Sequence, residues 1–160
     1  MTEPGRTITA IIESPKGSMQ KYDYIPEEQR FRLTKILPAG MTFPFDFGFI
    51  PDTKGEDGDP LDVIVISELS NFPGCLVDIR LIGALQAEQT ERDGSTVRNG
   101  RFIGIPIVSQ VFPNINELSE LPDNILNQIE HFFKNYNEQA GKVFKVVGRL
   151  NAAAAADLLP

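Results

Sequence analysis

Glu56-Asp57-Gly58-Asp59-Pro60-Leu61-Asp62-Val63-Ile64-Val65-Ile66 sets three aspartates directly upstream of an uninterrupted apolar run. A short apolar run of mostly β-branched residues behind turn residues reads as a buried strand. Gly58 and Pro60 favour a tight turn in front of it, one that can direct Asp57, Asp59 and Asp62 toward one place. Such an oxygen cluster suits a hard divalent cation such as Mg²⁺, which binds a few carboxylates plus waters and phosphate oxygens. The plainer reading of the segment is a solvated acidic loop. A calcium loop of the EF-hand type is excluded, because the required glycine and terminal glutamate do not follow and the segment runs into a strand.

A chain of 160 residues fits one domain, spanning 1–160, and can bury a sizeable core. No apolar run approaches the roughly 18 residues that span a bilayer, and the opening Met-Thr-Glu-Pro-Gly-Arg-Thr has neither the basic region nor the apolar stretch of a leader. A cytoplasmic protein with no membrane partner is expected. Cys75 is alone, which excludes an intramolecular disulfide and agrees with a reducing compartment; it reads as a small buried residue. The single His131 reads as a packed helix residue, since it has no zinc partners. A net charge of −7 argues against nucleic acid. An acidic protein that handles an anion needs metal ions or a local Lys/Arg cluster to reverse the field.

Outward from the acidic turn, residues 8–13 read as a first strand that delivers Glu13 to its end. Residues 21–24 and 31–37 read as a hairpin with Lys35 on the side of Phe31, Leu33 and Leu37. Phe43, Phe45, Phe47 and Phe49 fall at period two, so an extended segment places all four on one face as an aromatic layer. Residues 63–66, 76–85 and 101–108 read as strands, with a hairpin tip at Asp93-Gly94-Ser95. The carboxyl third changes to helical spacing over 124–137. A last strand follows at 142–147, and Asn151 before five alanines reads as a helix cap. Many short strands followed by a helix imply an α+β, mainly β architecture, a small barrel with helices packed outside.

The string Asp57-Gly58-Asp59-Pro60-Leu61-Asp62 with Val63-Ile64-Val65 resembles the signature of the soluble family I inorganic pyrophosphatases, and the likeness extends from about Ile8 to the carboxyl end. The resemblance implies a closed five-stranded, OB-like barrel with a carboxyl-terminal helix outside. It also implies Mg²⁺-dependent hydrolysis of pyrophosphate to two phosphates, and a homo-oligomer. Carried onto this chain, it makes Asp57, Asp62 and Glu13 metal ligands, and Asp59 the group that takes a proton from, or orients, the attacking water. Lys21, Lys35, Arg101 and Tyr136 become the catalytic side chains that hold phosphate, and Asn99 stands at a further metal position.

Departures from the family pattern accompany the match. Lys35 replaces an arginine and loses its bidentate fork, and Phe43 and Phe47 replace tyrosines and lose hydroxyl donors. Asp23 is one methylene shorter than the family acid, and Asn137 replaces a lysine. In the 83–106 hairpin, Gln89 and Asn99 stand where the family carries metal-binding aspartates, and Arg101 where it carries a lysine. Fewer tightly bound ions and a slower or altered reaction are expected on that alignment. The rival reading is an impaired homologue that binds a phosphorylated ligand or a partner protein.

Overall fold

The computed structural model describes residues 6–160; Met1 to Gly5, most of the segment read above as lacking a leader, lie outside the described residues. Nine strands, one short 3₁₀ turn (Leu118–Glu120) and two helices follow in order: β1 Thr7–Ser14, β2 Gln20–Ile25, β3 Arg30–Ile36, β4 Asp46–Ile50, β5 Leu61–Val65, β6 Leu76–Thr90, β7 Thr96–Arg98, β8 Arg101–Pro106, α1 Asp123–Gln139, β9 Val143–Asn151 and α2 Ala152–Asp157. Five of the strands close on themselves in the order β1-β4-β5-β8-β6, with β6 pairing back to β1. Numbered within the ring, that order is 1-2-3-5-4. Its one parallel contact is β5 with β8; the other pairings are antiparallel. The expected five-stranded barrel is therefore present. No helix among the described residues is long and apolar enough to cross a membrane.

Strand periodicity divides the core in two. Ala10, Ile12, Ile50, Val63, Val65, Ile79, Leu81, Ala84 and Phe102 come from all five ring strands and fill the barrel, where Ala155 of α2 joins them. Ile64, Ile66, Ile82, Leu85, Ile103 and Ile105 point to the opposite face and pack under Leu126, Ile129, Phe132 and Phe133 of α1. Residues 63–65 are buried on both faces, which is why their sequence is a continuous apolar run. The same parity fixes the site. Asp62 shares the outer face with Ile64, Arg101 shares it with Ile103, and Glu13 alternates with the interior Ile12.

Gly48 permits the closest approach in the ring. A Cβ there would lie 2.1 Å from the Ile11 carbonyl oxygen, so no side chain fits while β4 pairs with β1. The β2–β3 hairpin forms a separate two-stranded sheet over the outer face. Its Tyr24 ring stacks on Phe49, with centroids 5.5 Å apart.

Several expectations need correction. The four phenylalanines do not form one layer, because Pro44 lies in a bend and β4 begins only at Asp46. Phe43 and Phe47 pack edge-on at 4.8 Å and join Phe132 and Phe133 of α1, Phe45 lies under the Lys16 ammonium, and Phe49 stacks against Tyr24 of the hairpin. His131 is exposed on α1 rather than packed. Cys75 is half-buried beside the barrel interior. Strand β6 runs to Thr90 and β9 to Asn151, both longer than the sequence suggests. Asn151 caps α2 as expected, its side chain accepting from Ala154 N at 2.8 Å.

Candidate active site

A cavity of about 210 Å³ lies on the outer face of the ring between the β2–β3 hairpin and α1. Six expected site residues line it: Glu13, Lys21, Asp59, Asp62, Arg101 and Tyr136. They come from β1, β2, the turn before β5, β5, β8 and α1, and Asp23 on β2 joins them. The acidic turn is held by its own backbone. Gly58 sits at φ 87°, Gly55 N donates to Asp59 O at 2.7 Å, and Asp59 N donates to Asp57 Oδ1 at 3.0 Å. Asp57 is thereby drawn back onto the loop and lines a neighbouring cleft with Asp62, so the turn aims two of its three aspartates into the cavity.

The cations are individually matched. Lys21 Nζ lies 2.6 Å from Asp23 Oδ1, and Asp23 Oδ2 accepts from Thr34 Oγ1 at 2.5 Å. Arg101 Nη1 lies 2.9 Å from Asp62 Oδ2, with the guanidinium 4.8 Å over the Phe133 ring. Lys35 stands outside the lining on an exposed strand, where its Nζ reaches Tyr136 Oη at 3.4 Å and sits 5.5 Å over the ring. Thr34 bulges out of the hairpin register, so Lys35 pairs with Lys21 while Leu33 pairs with Tyr22.

The carboxylates carry the electrostatic strain of the site. Burial pushes the Glu13 carboxyl up to about 7, against the Tyr24 N–H that donates to it at 2.9 Å; Asp23 and Asp62 push further and Lys21 opposes. Enclosure by protein raises the Asp62 carboxyl, against the pull of Arg101, although the side chain is 39% open toward solvent. Burial and the charges of Asp57 and Asp23 raise Asp59. Among the described residues no three acidic, histidine or cysteine side chains converge into a closed metal cage. The donor set fits Mg²⁺ nonetheless, because that ion keeps several waters and is held by one or two carboxylates plus substrate oxygens.

A family model described as inorganic pyrophosphatase matches residues 10–159. The chain belongs to the inorganic pyrophosphatase family. The inorganic pyrophosphatase of Halalkalibacterium halodurans is 38% identical over 154 residues, covering 96% of this chain and 91% of that protein. That of Nanoarchaeum equitans is 40% identical over 142 residues, covering 87% and 84%. Among solved structures, the Thermus thermophilus inorganic pyrophosphatase superposes with a TM-score of 0.85 at 34% identity, covering 94% of this chain and 86% of that one. With these pyrophosphatases the chain shares the mainly β fold built on a five-strand ring with a carboxyl-terminal helix.

Within this pyrophosphatase fold, the positions where the sequence departs are occupied in specific ways. Asn99, expected as a metal position, has Oδ1 engaged by Arg101 Nη1 and Nδ2 donating to Gln89 Oε1 at 2.5 Å. Neither Gln89 nor Asn99 lines the cavity. Asn137 is buried, its Nδ2 donating to Phe133 O at 2.8 Å within α1. Phe47 stacks on Phe133 at 5.1 Å. Behind Gln89, Glu91 and Lys142 stand 3.0 Å from each other, a pairing that sequence reasoning did not find. Their only signal in the sequence is opposite charge, Glu91 just past the end of β6 and Lys142 just before β9.

Proposed function

We propose that this pyrophosphatase family member hydrolyses inorganic pyrophosphate to two phosphates with Mg²⁺ as cofactor. The observation that carries the reading is one cavity whose lining combines three carboxylates with raised proton affinity, Glu13, Asp59 and Asp62, with the phosphate-binding donors Lys21, Arg101 and Tyr136. Asp62 and Asp59 would hold the metal, with Glu13 of the same lining to bind its waters and Asp57 approaching from the neighbouring cleft it shares with Asp62. Bound there, Mg²⁺ would supply charge neutralisation and a water of lowered pKa.

The chain's own groups account for the rest. Asp59 takes the proton of the attacking water at its carboxylate, which burial and Asp57 make more basic than an ordinary aspartate. Lys21 and Arg101 hold oxygens of the two phosphoryl groups, and Tyr136 donates its phenolic hydrogen to a third. The water oxygen ends on one phosphate and the bridging oxygen leaves on the other, so one water is consumed and two phosphates form. Phe43, Phe47, Phe132 and Phe133 make the floor apolar and strengthen these charged contacts. A homo-oligomer in the cytoplasm belongs to the same reading, supported by the family resemblance and by a lone cysteine that needs no oxidising compartment.

The test is phosphate release from pyrophosphate at saturating Mg²⁺, with Asp59→Asn in parallel. General-base loss is expected to lower kcat by about 10²–10⁴ with the urea midpoint not lowered. Full turnover in Asp59→Asn refutes its role. No metal-dependent release from the native protein refutes hydrolysis and favours a protein that binds a phosphorylated ligand without turning it over.

A further inference from the structure

A chain of hydrogen bonds runs from the molecular surface to the cavity wall through two uncharged side chains. Lys142 Nζ lies 3.0 Å from Glu91 Oε2, and Gln89 Nε2 donates to Glu91 Oε1 at 2.8 Å. Asn99 Nδ2 donates to Gln89 Oε1 at 2.5 Å, and Arg101 Nη1 donates to Asn99 Oδ1 while reaching Asp62 Oδ2 at 2.9 Å. The ends of this chain fix the direction of every bond. An ionised glutamate only accepts and a guanidinium only donates. The Lys142 ammonium, with the Gln89 amide behind it, holds the Glu91 carboxyl below its ordinary range and so keeps it an acceptor.

Gln89 must therefore turn its NH₂ toward Glu91 and its carbonyl toward Asn99. Asn99 in turn must give its NH₂ to Gln89 and its carbonyl to Arg101. Flipping either amide would set acceptor against acceptor at one end and donor against donor at the other. Gln89 is only 9% exposed, so water is poorly placed to repair such a mismatch. The backbone supports the same arrangement. Gln89 pairs with Val97 on one side and Phe144 on the other, and Asn99 N donates to Ala87 O at 2.9 Å.

Arg101 spends only Nη1 on this network. Its Nε and Nη2 have no hydrogen-bond acceptor among the described residues, although the side chain is 13% exposed and lines the cavity. A guanidinium gripped at Nη1 and laid over the Phe133 face keeps its Nε–Nη2 edge free, the edge that matches two oxygens of a phosphate. We infer that Gln89 and Asn99, oriented by Glu91, are positioning residues that lock the Arg101 guanidinium and present its Nε–Nη2 edge to a phosphate group in the cavity. The inference rests on the pyrophosphatase reading for the identity of that phosphate. It makes the two amides part of the substrate-binding machinery without direct contact to substrate.

A double-mutant cycle tests it, with Gln89→Met removing the relay's centre at nearly constant volume and Arg101→Lys removing the fork. Gln89→Met is expected to lower kcat/KM for pyrophosphate about tenfold in the native background and less than twofold in the Arg101→Lys background. Equal losses in both backgrounds overturn the inference, because a merely structural defect adds independently. Glu91→Gln, at the half-exposed end, should show the same dependence on Arg101, and it decides the matter if Gln89→Met does not fold. A readout without turnover separates this inference from the hydrolysis reading. With Mg²⁺ at saturation in both samples, the Nε–H resonance of Arg101 should move on adding inorganic phosphate to the native protein and should stay broad and unresponsive in Glu91→Gln. A phosphate response that is the same in both proteins overturns the inference, even if the native protein shows no pyrophosphate hydrolysis.

Discussion

Glu13→Gln should stabilise the metal-free protein, and the gain should grow with pH. Glu13 sits at the end of β1 with its carboxyl facing Asp23 and Asp62, and burial together with those charges raises it from 4.5 to about 7. The folded chain therefore holds the proton more tightly than the unfolded chain. The stability this group contributes is complete below about 4.5 and is lost as pH rises through about 7. Measurements belong above the isoelectric point near 4.7, where the chain keeps its charge. From pH 5.5 to the folded value lie about 1.5 units at about 1.4 kcal/mol each, a ceiling of about 2 kcal/mol. The opening of the cavity to solvent brings the expected change to about 1 kcal/mol. Glutamine keeps an oxygen for the Tyr24 N–H, so the comparison isolates charge from geometry. Urea unfolding with EDTA at pH 5.5 and 8.5 should show the gap between variant and native protein widening by about that amount. Adding Mg²⁺ at pH 8.5 should narrow it, because a cation that binds the folded state favours the ionised native carboxyl. Parallel stability curves for the two proteins would refute the assignment of Glu13 as a strained acid.

Gly48→Ala should destabilise the protein by about 3 kcal/mol in urea unfolding, because the added Cβ would lie 2.1 Å from Ile11 O and force β4 off β1. A change below about 0.5 kcal/mol would refute that close approach. Tyr136→Phe keeps the ring beneath the Lys35 ammonium but removes the hydroxyl, and should raise KM for pyrophosphate about tenfold with kcat nearly unchanged; an unaltered KM removes Tyr136 from the substrate contacts. Calorimetry at pH 8 with EDTA should show no measurable binding of pyrophosphate, and binding should return with Mg²⁺; tight metal-free binding would contradict the net negative cavity.

Much of the fold was legible because period is a local property. The both-faces burial of residues 63–65, the helical spacing of Ile125, Ile129 and Phe133, and the Asn151 cap each read correctly from neighbouring residues. The failures came where pairing in space decided the outcome. Strand β6 continues past Leu85 into polar residues because β9 and β7 flank it there, so Ala87 and Gln89 are buried while Gln86 and Glu88 are not. Simple alternation from Phe31 to Leu37 missed the Thr34 bulge that sets the register at Lys35. The motif brought Asp59 and Asp62 to the cavity, but a turn's composition does not reveal that Asp57 Oδ1 is taken by the Asp59 N–H. The hydrogen bond between Gln89 and Asn99 was not foreseen, since a bond between residues ten apart depends on the β6–β7 register.

That last difference alters how the site's charge should be counted. The cavity lining holds four carboxylates, Glu13, Asp23, Asp59 and Asp62, against two cations, Lys21 and Arg101. Lys21 is matched by Asp23 and Arg101 by Asp62, which leaves Glu13 and Asp59 without a cation. An anion entering this cavity is repelled unless those two charges are offset, and one divalent ion offsets both. A carboxylate at 99 would set a second anion against Arg101 beside Asp62, so that its guanidinium served mainly as their counterion. Amides at 89 and 99 hold the same side chain through hydrogen bonds and leave its positive charge opposed by Asp62 alone. The two amides thus keep a fixed cation on the cavity wall without adding negative charge beside it.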